Sequence, residues 1–214
     1  MNSAESLKRS VSIAEDLRSV VKTMKALAAV NLRAYDRSAR AVAEYNKTVE
    51  MGLQVALQQF EFPIVPLRRD GQKKLGAIVL GSDQGMCGPL NDHVVSHVAR
   101  ALKKLAVSVK NRSILAVGAR AAAQLEARGS RVEAVLRVPT SLGGITVVVE
   151  QVLDKIDEWR TSQAIDWIAL FHARPMAGGW HRVLGTRLLP VDAEWIRALK
   201  SKSWPSKTIP MFTM

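Results

Sequence analysis

Residues 2–60 read NSAESLKRSVSIAEDLRSVVKTMKALAAVNLRAYDRSARAVAEYNKTVEMGLQVALQQF and contain no proline and a single glycine, Gly52. Apolar or small residues recur at every seventh position of this stretch, at Leu7, Ala14, Val21, Ala28, Tyr35, Val42, Val49 and Ala56. A second row runs through Leu17, Met24 and Tyr45. This spacing is typical of a coiled-coil seam. We therefore predict one continuous helix, roughly 80 Å long at about 1.5 Å per residue.

The predicted helix ends where prolines begin. Proline cannot continue a helix and biases the preceding residue towards extended structure, and the segment Phe62-Pro63-Ile64-Val65-Pro66 contains two of them. The charged residues that follow, up to Lys74, are typical of a linker. We divide the chain into a long coiled-coil helix over residues 1–61, a linker over 62–74 and a globular domain over 75–214.

From Leu75 onward, short apolar runs alternate with amphipathic segments. Strands are predicted at 75–80, 113–118, 131–138, 165–172 and 180–190, helices at 89–107, 119–128, 145–159 and 193–200, and an extended tail at 204–214. Alternating strands and helices of these lengths indicate an α/β domain, Rossmann-like, with a mostly parallel sheet and helices on both faces.

The composition limits the class of protein. A hydrophobic content of 48% supports a real core. We find no apolar run of about 18 residues and no apolar centre of a signal peptide, so a cytoplasmic protein is expected. The single cysteine, Cys87, excludes an internal disulfide framework and a cysteine-based metal site.

The net charge of +12 suggests a polyanionic partner, of which nucleic acid is the obvious example. However, the basic residues of the long helix are interleaved with acidic ones, and the later basic clusters lack interleaved aromatic residues. No nucleic acid is therefore expected, whereas acidic protein loops or anionic lipid headgroups would attract the same charge.

The glycine-rich loop after the first predicted strand, Gly81-Ser82-Asp83-Gln84-Gly85-Met86-Cys87-Gly88, is where an α/β domain usually places its chemistry. Asp83 stands where a dinucleotide fingerprint needs its second glycine. Ser82 is not in a G-x-S-x-G motif, and Cys87 more simply fills a tight loop than acts as a nucleophile. His93 and His97 are one helical turn apart but have no marked third metal ligand. We expect no catalytic residue, no metal and no cofactor.

Two motifs carry a resemblance. Leu17–Arg33, LRSVVKTMKALAAVNLR, and Gly81–Asn91, GSDQGMCGPLN, resemble two signatures of the gamma subunits of rotary F-type ATP synthases, in the same order along the chain. The likeness extends over nearly the whole chain. The segments around Arg174-Pro175, Arg187–Asp192 and Trp204-Pro205 are more similar to the gamma subunits of the alternate bacterial F-type ATPases.

This resemblance implies a non-catalytic central-stalk rotor that couples ion flow through a membrane rotor ring to ATP synthesis or hydrolysis on the beta subunits. Its implied partners are the alpha, beta and epsilon subunits and the ring, and its implied location is peripheral, on the cytoplasmic face of the bacterial inner membrane. The residues that the resemblance assigns to contacts with alpha and beta are Met24, Lys25, Asp83, Gln84, Gly85, Cys87, Gly88 and Asn91. The family commonly has an Arg where this chain has Gln84, which weakens a charged latch to beta.

In that family the N-terminal helix pairs with a C-terminal helix, through seam positions that correspond here to Ala14, Leu17, Val21 and Ala28. The resemblance places the start of that second helix after a strand near Met211, close to the last residue of this sequence, so the helix is expected to be missing. A coiled-coil scaffold that pairs with itself is the main alternative, and a basic nucleic-acid-binding protein is a weaker one.

Overall fold

The computed structural model of the chain describes residues 3–59, 74–105, 107–165 and 167–205. The helices are α1 (Ser3–Gln59), α2 (Leu90–Lys104), α3 (Ala119–Ala127), α4 (Leu142–Thr161) and α5 (Ala193–Ser201). The strands are β1 (Leu75–Leu80), β2 (Arg112–Val117), β3 (Val132–Leu136), β4 (Trp167–Pro175) and β5 (His181–Leu189). The chain divides into two compact units, one containing α1 and the other containing all of these remaining elements.

The first unit contains α1, a single helix of 57 residues, as the absence of proline predicts. Its seam is exposed over most of its length, with Leu17 at 55% and Val21 at 43% exposure. Burial begins in the last turns, where Gln54, Val55 and Leu57 are between 2% and 4% exposed. Two ion pairs on the helix surface each join residues one turn apart. These are Asp36 with Arg40 and Glu44 with Lys47. The predicted linker up to residue 73 and most of the predicted extended tail lie outside the described residues.

The second unit is built on one five-stranded sheet with the order β3-β2-β1-β4-β5. β1 to β4 run parallel, and β5 pairs antiparallel with β4 at one edge. The predicted α/β class with a mostly parallel sheet is thus confirmed. The antiparallel edge arises because β4 returns to β5 through the short 3-10 turn Ala177–Gly179, which is too short for a parallel crossover.

Apolar side chains cover both faces of the sheet. On one face α2 and α3 contribute a buried cluster that includes Val94, Val98, Leu102 and Leu125. On the other face α4 contributes Trp159, which is fully buried in a second cluster. The Trp159 ring lies so close to β1 that a Cβ added to Gly76 would be 2.6 Å from it. A glycine in the middle of a buried strand therefore makes room for the indole.

Glu133, on the edge strand β3, ties α4 to the sheet. Its carboxylate accepts hydrogen bonds from Lys155 Nζ at 2.7 Å, Gln163 Nε2 at 2.9 Å and Trp159 Nε1 at 3.2 Å. Burial raises the pKa of Glu133, but these donors together outweigh burial and lower the pKa to about 2. The charged carboxylate is therefore a stabilising part of the folded unit.

Glu133→Gln is expected to destabilise the protein by about 1–2 kcal/mol at neutral pH, a figure reduced from the full pKa shift because water still reaches the group. The folded pKa of about 2 lies below the ordinary value of 4.5. The Glu133 charge therefore contributes its full stabilisation at pH values above 4.5, and this stabilisation is lost as the pH falls towards about 2. Urea unfolding between about pH 6 and about pH 3 measures it, and the stability gap between wild type and variant should shrink over that range.

The matched control for that measurement is Glu158→Gln, because Glu158 also pairs with Lys155 but its side chain is 50% exposed. Its effect should stay below about 1 kcal/mol. If the difference in the free energy of unfolding between Glu133→Gln and wild type did not change with pH, the stabilising role of the Glu133 charge would be contradicted.

Candidate functional site

The candidate site is the loop Gly81–Pro89, which connects β1 to α2 at the carboxyl edge of the parallel strands. Two glycines at strand ends let this loop lie against the start of α3. A Cβ on Gly81 would collide with the Cβ of Ala121. Gly118 has a φ of 117°, and a Cβ there would lie 2.7 Å from the backbone nitrogen and oxygen of Ser82. Only glycine fits at either position without a shift of the neighbouring backbone or helix.

Asp83 holds three chain segments together. Its Oδ1 accepts a hydrogen bond from the backbone N–H of Ala119 at 2.8 Å, and its Oδ2 accepts one from Val138 at 2.9 Å. Ala119 is the first residue of α3, whose N–H has no partner within the helix, and a carboxylate there is also favoured by the helix dipole. One side chain thus joins the segments that follow β1, β2 and β3.

Asn91 fixes the same loop to the first turn of α2. It is 4% exposed, its Oδ1 accepts from the Ser82 N–H at 3.0 Å, and its Nδ2 donates to Ser82 Oγ at 2.8 Å. The Asn91 Nδ2 also donates to Cys87 Sγ at 3.4 Å, and Ser82 Oγ donates to the Gln84 carbonyl at 2.7 Å. A nucleophilic serine needs a neighbouring base, whereas these partners of Ser82 are an amide, a carbonyl and a thiol. The chemistry of this network is structural.

The contact residues predicted in this loop fall into two groups. Asp83, Cys87 and Asn91 turn inward and bind the loop itself, as described above. Gln84 and Gly85 are exposed at the tip, and so is Gly88. The tip is therefore the part of the loop that is available to a partner, and the assignment of all six residues to a partner stays a prediction.

Met86 is a further residue of the tip and is not among the predicted contacts. It is 71% exposed and has a φ of 62°, which is uncommon for a residue other than glycine. An apolar side chain displayed in this way is suited to contact with another protein. The signal that could have found it is an apolar residue two positions before a glycine in a glycine-rich turn, which is weak.

The remaining predicted contact residues lie on α1, in the other unit. Met24 is 42% exposed, and Lys25 is exposed as well. The predicted seam residues share this exposure and belong to the same helix: Ala14, Leu17, Val21 and Ala28. The structure thus brings the loop residues together with one another, and it presents the α1 residues along one helix surface.

Within residues 3–59, 74–105, 107–165 and 167–205, no helix is long and apolar enough to cross a membrane. In the same residues, no group of three or more His, Cys, Asp or Glu side chains is arranged to hold a metal ion.

Comparison with known proteins gives a family match over most of the chain. The family model described as ATP synthase matches residues 3–210. The chain is 24% identical over 203 residues to the ATP synthase gamma chain of Cyanothece sp. strain PCC 7425, and 22% identical over 205 residues to that of Nostoc punctiforme. Each alignment covers 92% of this chain, and the chain spans 64% of the length of both relatives.

Among solved structures, the chain is similar to a chain of the central stalk and c-ring of the Tetrahymena thermophila mitochondrial ATP synthase. The TM-score is 0.48 at 18% identity, and the alignment covers 67% of this chain and 58% of that one. A chain of the Euglena gracilis mitochondrial ATP synthase gives a TM-score of 0.43 at 13% identity, covering 72% of this chain and 53% of that one.

Proposed function

Because the chain belongs to the ATP synthase family, we propose that it is a gamma-type central-stalk subunit, a rotor that couples ion flow through a membrane ring to ATP synthesis or hydrolysis. The observation that carries the proposal is the family match from residue 3 to residue 210, which includes both α1 and the α/β unit. Catalysis then belongs to other subunits, and the chain itself transmits motion.

The length and surface of α1 support the role of a shaft. A helix of 57 residues is roughly 85 Å long at about 1.5 Å per residue, and an average helix of a globular protein has only about 11–12 residues. Its apolar side chains are exposed along the seam, with Leu7 at 66% and Val42 at 64% exposure. Apolar surface of this extent is typical of a helix that packs against other chains or segments. We propose that a second helix packs along the seam, as the resemblance implies, and that the alpha and beta subunits contact the surface around Met24 and Lys25.

The α/β unit also has an exposed apolar surface, on α4. Ile145, Val149 and Leu153 lie on successive turns and are 38%, 48% and 56% exposed. This surface supports a second contact, for which we propose the epsilon subunit or the membrane ring. The complex would place the chain peripherally on the cytoplasmic face of the bacterial inner membrane, where the net charge of +12 favours an anionic surface.

The exposed loop tip supplies a third contact in this proposal. Gln84 and Met86 are carried by a loop whose base is fixed by Asp83 and Asn91. A loop with a preorganised base loses less conformational entropy on binding.

Co-purification of the full chain with the alpha and beta subunits from the same source tests the proposal. We expect a complex with ATP hydrolysis activity, and we expect Val21→Glu to weaken it at least about tenfold, because a charge would be buried in the seam without a partner. Ser19→Glu is the control, since it adds the same charge nearly opposite Val21 on the same helix. It should leave the complex intact.

Two outcomes contradict the rotor proposal. One is a chain that forms a stable dimer alone and does not bind alpha and beta, which favours the self-pairing scaffold. The other is an equal loss of binding in Val21→Glu and Ser19→Glu, which means that the seam has no special part in the contact.

A further inference from the structure

Two histidines from distant parts of the chain meet at the carboxyl edge of the sheet. His93 lies in the first turn of α2, and His181 is the first residue of β5, opposite Pro175 of β4. The His93 Nδ1 and the His181 Nε2 are 3.0 Å apart, and the ring centroids are 5.0 Å apart. α2 leaves from the end of β1, and β5 is reached from the end of β4. The pair therefore lies beside the switch point between β1 and β4, where open α/β sheets usually bind ligands.

The spacing of the two nitrogens matches a chelate. An imidazole nitrogen binds zinc at about 2.0–2.1 Å. Two such nitrogens that meet at one metal ion at an angle between about 90° and 110° lie roughly 2.9–3.4 Å apart. The observed separation of 3.0 Å is within this range. The proton that lies between the two nitrogens must move to the outer nitrogen of one ring. His93 is exposed and His181 is half-buried, so the His93 ring can make the small rotation that convergence requires.

We propose that His93 and His181 form a two-histidine site for a first-row transition metal ion that prefers imidazole, such as Cu²⁺, Ni²⁺ or Zn²⁺, with water molecules as the remaining ligands. The site goes beyond the rotor function and does not depend on it. Its ligands come from residues 88 positions apart, so a bound ion would tie the first turn of α2 to the edge strand β5.

His97 is the natural rival ligand, because it lies one turn after His93 on α2. Its ring, however, packs edge-on against Phe171 with centroids 6.2 Å apart. Burial, followed by the nearby charges of Arg100 and Lys104, lowers the pKa of His97. His97 is therefore part of the packing of α2 on the sheet.

The surrounding charges affect which metal ion fits. Asp92 precedes His93 and lies 3.8 Å from Arg128 at the surface, and Arg174 and Arg182 face each other in the β4–β5 pairing. The net positive charge of these side chains repels any cation. The affinity must therefore come from the bonds between the metal ion and the imidazole nitrogens, and not from the electrostatic field. Mg²⁺ and Ca²⁺, which prefer oxygen ligands, should therefore bind much more weakly than Cu²⁺, Ni²⁺ or Zn²⁺.

The experiment titrates the full chain with Cu²⁺ and Zn²⁺ in a calorimeter and records the electron paramagnetic resonance spectrum of the Cu²⁺ form. We expect one ion per chain and a spectrum with two equatorial nitrogens. His93→Gln and His181→Gln should each reduce affinity at least about tenfold, since loss of a partner that merely orients a ligand already costs 10–100-fold. Affinity should also fall in acid, because ligation requires unprotonated imidazole.

His97→Gln and His172→Gln are the matched controls, and each should retain the affinity of the wild type. A loss of binding in His97→Gln with full binding in His181→Gln would assign the metal to α2 alone and overturn the proposal. Binding that is equal in the wild type and in the His93→Gln/His181→Gln double variant would overturn it too. Thermal unfolding without metal shows whether each variant is folded.

Discussion

Asp83→Ala should destabilise the α/β unit by about 3–5 kcal/mol, because two backbone N–H groups lose a carboxylate acceptor and each such bond is worth about 1.5–3 kcal/mol. The two donors are Ala119 at 2.8 Å and Val138 at 2.9 Å, so the loss affects the segments after β2 and β3 as well as the loop itself. Urea unfolding measured by far-ultraviolet circular dichroism gives the change in free energy.

Asp92→Ala is the control for this prediction. Asp92 carries the same side chain nine residues later, but its carboxylate is 60% exposed and lies 3.8 Å from Arg128. Exposed pairs of this kind contribute up to about 1 kcal/mol, so the control should change stability by less than that. If Asp83→Ala and Asp92→Ala had the same small effect, Asp83 would be free for a partner and its structural role would be refuted.

Trp159→Ala should destabilise the same unit by about 3–5 kcal/mol, the range measured when a large aromatic side chain is removed from a core. The indole projects from α4 and is fully buried against β1, and its N–H donates to Glu133 at 3.2 Å. The substitution leaves a cavity over Gly76, where no side chain is present to fill it. The midpoint of thermal or urea unfolding measures the effect.

Trp180→Ala is the matched control, since Trp180 is 76% exposed in the β4–β5 turn. Its effect should stay within about 0.5 kcal/mol. The destabilisation by Trp159→Phe should lie between those of Trp159→Ala and Trp180→Ala, because phenylalanine keeps most of the ring volume but lacks the N–H that binds Glu133. Equal stability of Trp159→Ala and Trp180→Ala would contradict the position of Trp159 in the core.

The elements themselves could be predicted from local sequence. The absence of proline and the seven-residue spacing predict one helix over residues 2–60, and α1 covers every described residue of that range, Ser3–Gln59. The apolar run Leu75–Leu80 is a buried strand as expected. These predictions succeed because periodicity and proline act within a few residues along the chain.

The internal contacts of the site could not be predicted in the same way. The sequence shows that Asp83 does not fit a dinucleotide fingerprint, and the resemblance implies contact with a partner. Its hydrogen bonds instead go to residues 36 and 55 positions away. In the sequence, Glu133 cannot be distinguished from any other polar residue of a half-buried edge strand. Its hydrogen-bond partner Trp159 is on α4 and comes close only through the packing of α4 on the sheet. The meeting of His93 with His181 likewise depends on the sheet order, which brings the end of β1 beside the end of β4.

Rotation of the chain within an alpha and beta assembly tests the rotor proposal most directly. A probe is attached at Lys110→Cys, an exposed position of the α/β unit, with Cys87→Ser removing the single native thiol. We expect the probe to turn in one direction when ATP is added and to stop when ATP is removed. A chain that binds the assembly while ATP is hydrolysed, but whose probe stays still, would contradict it.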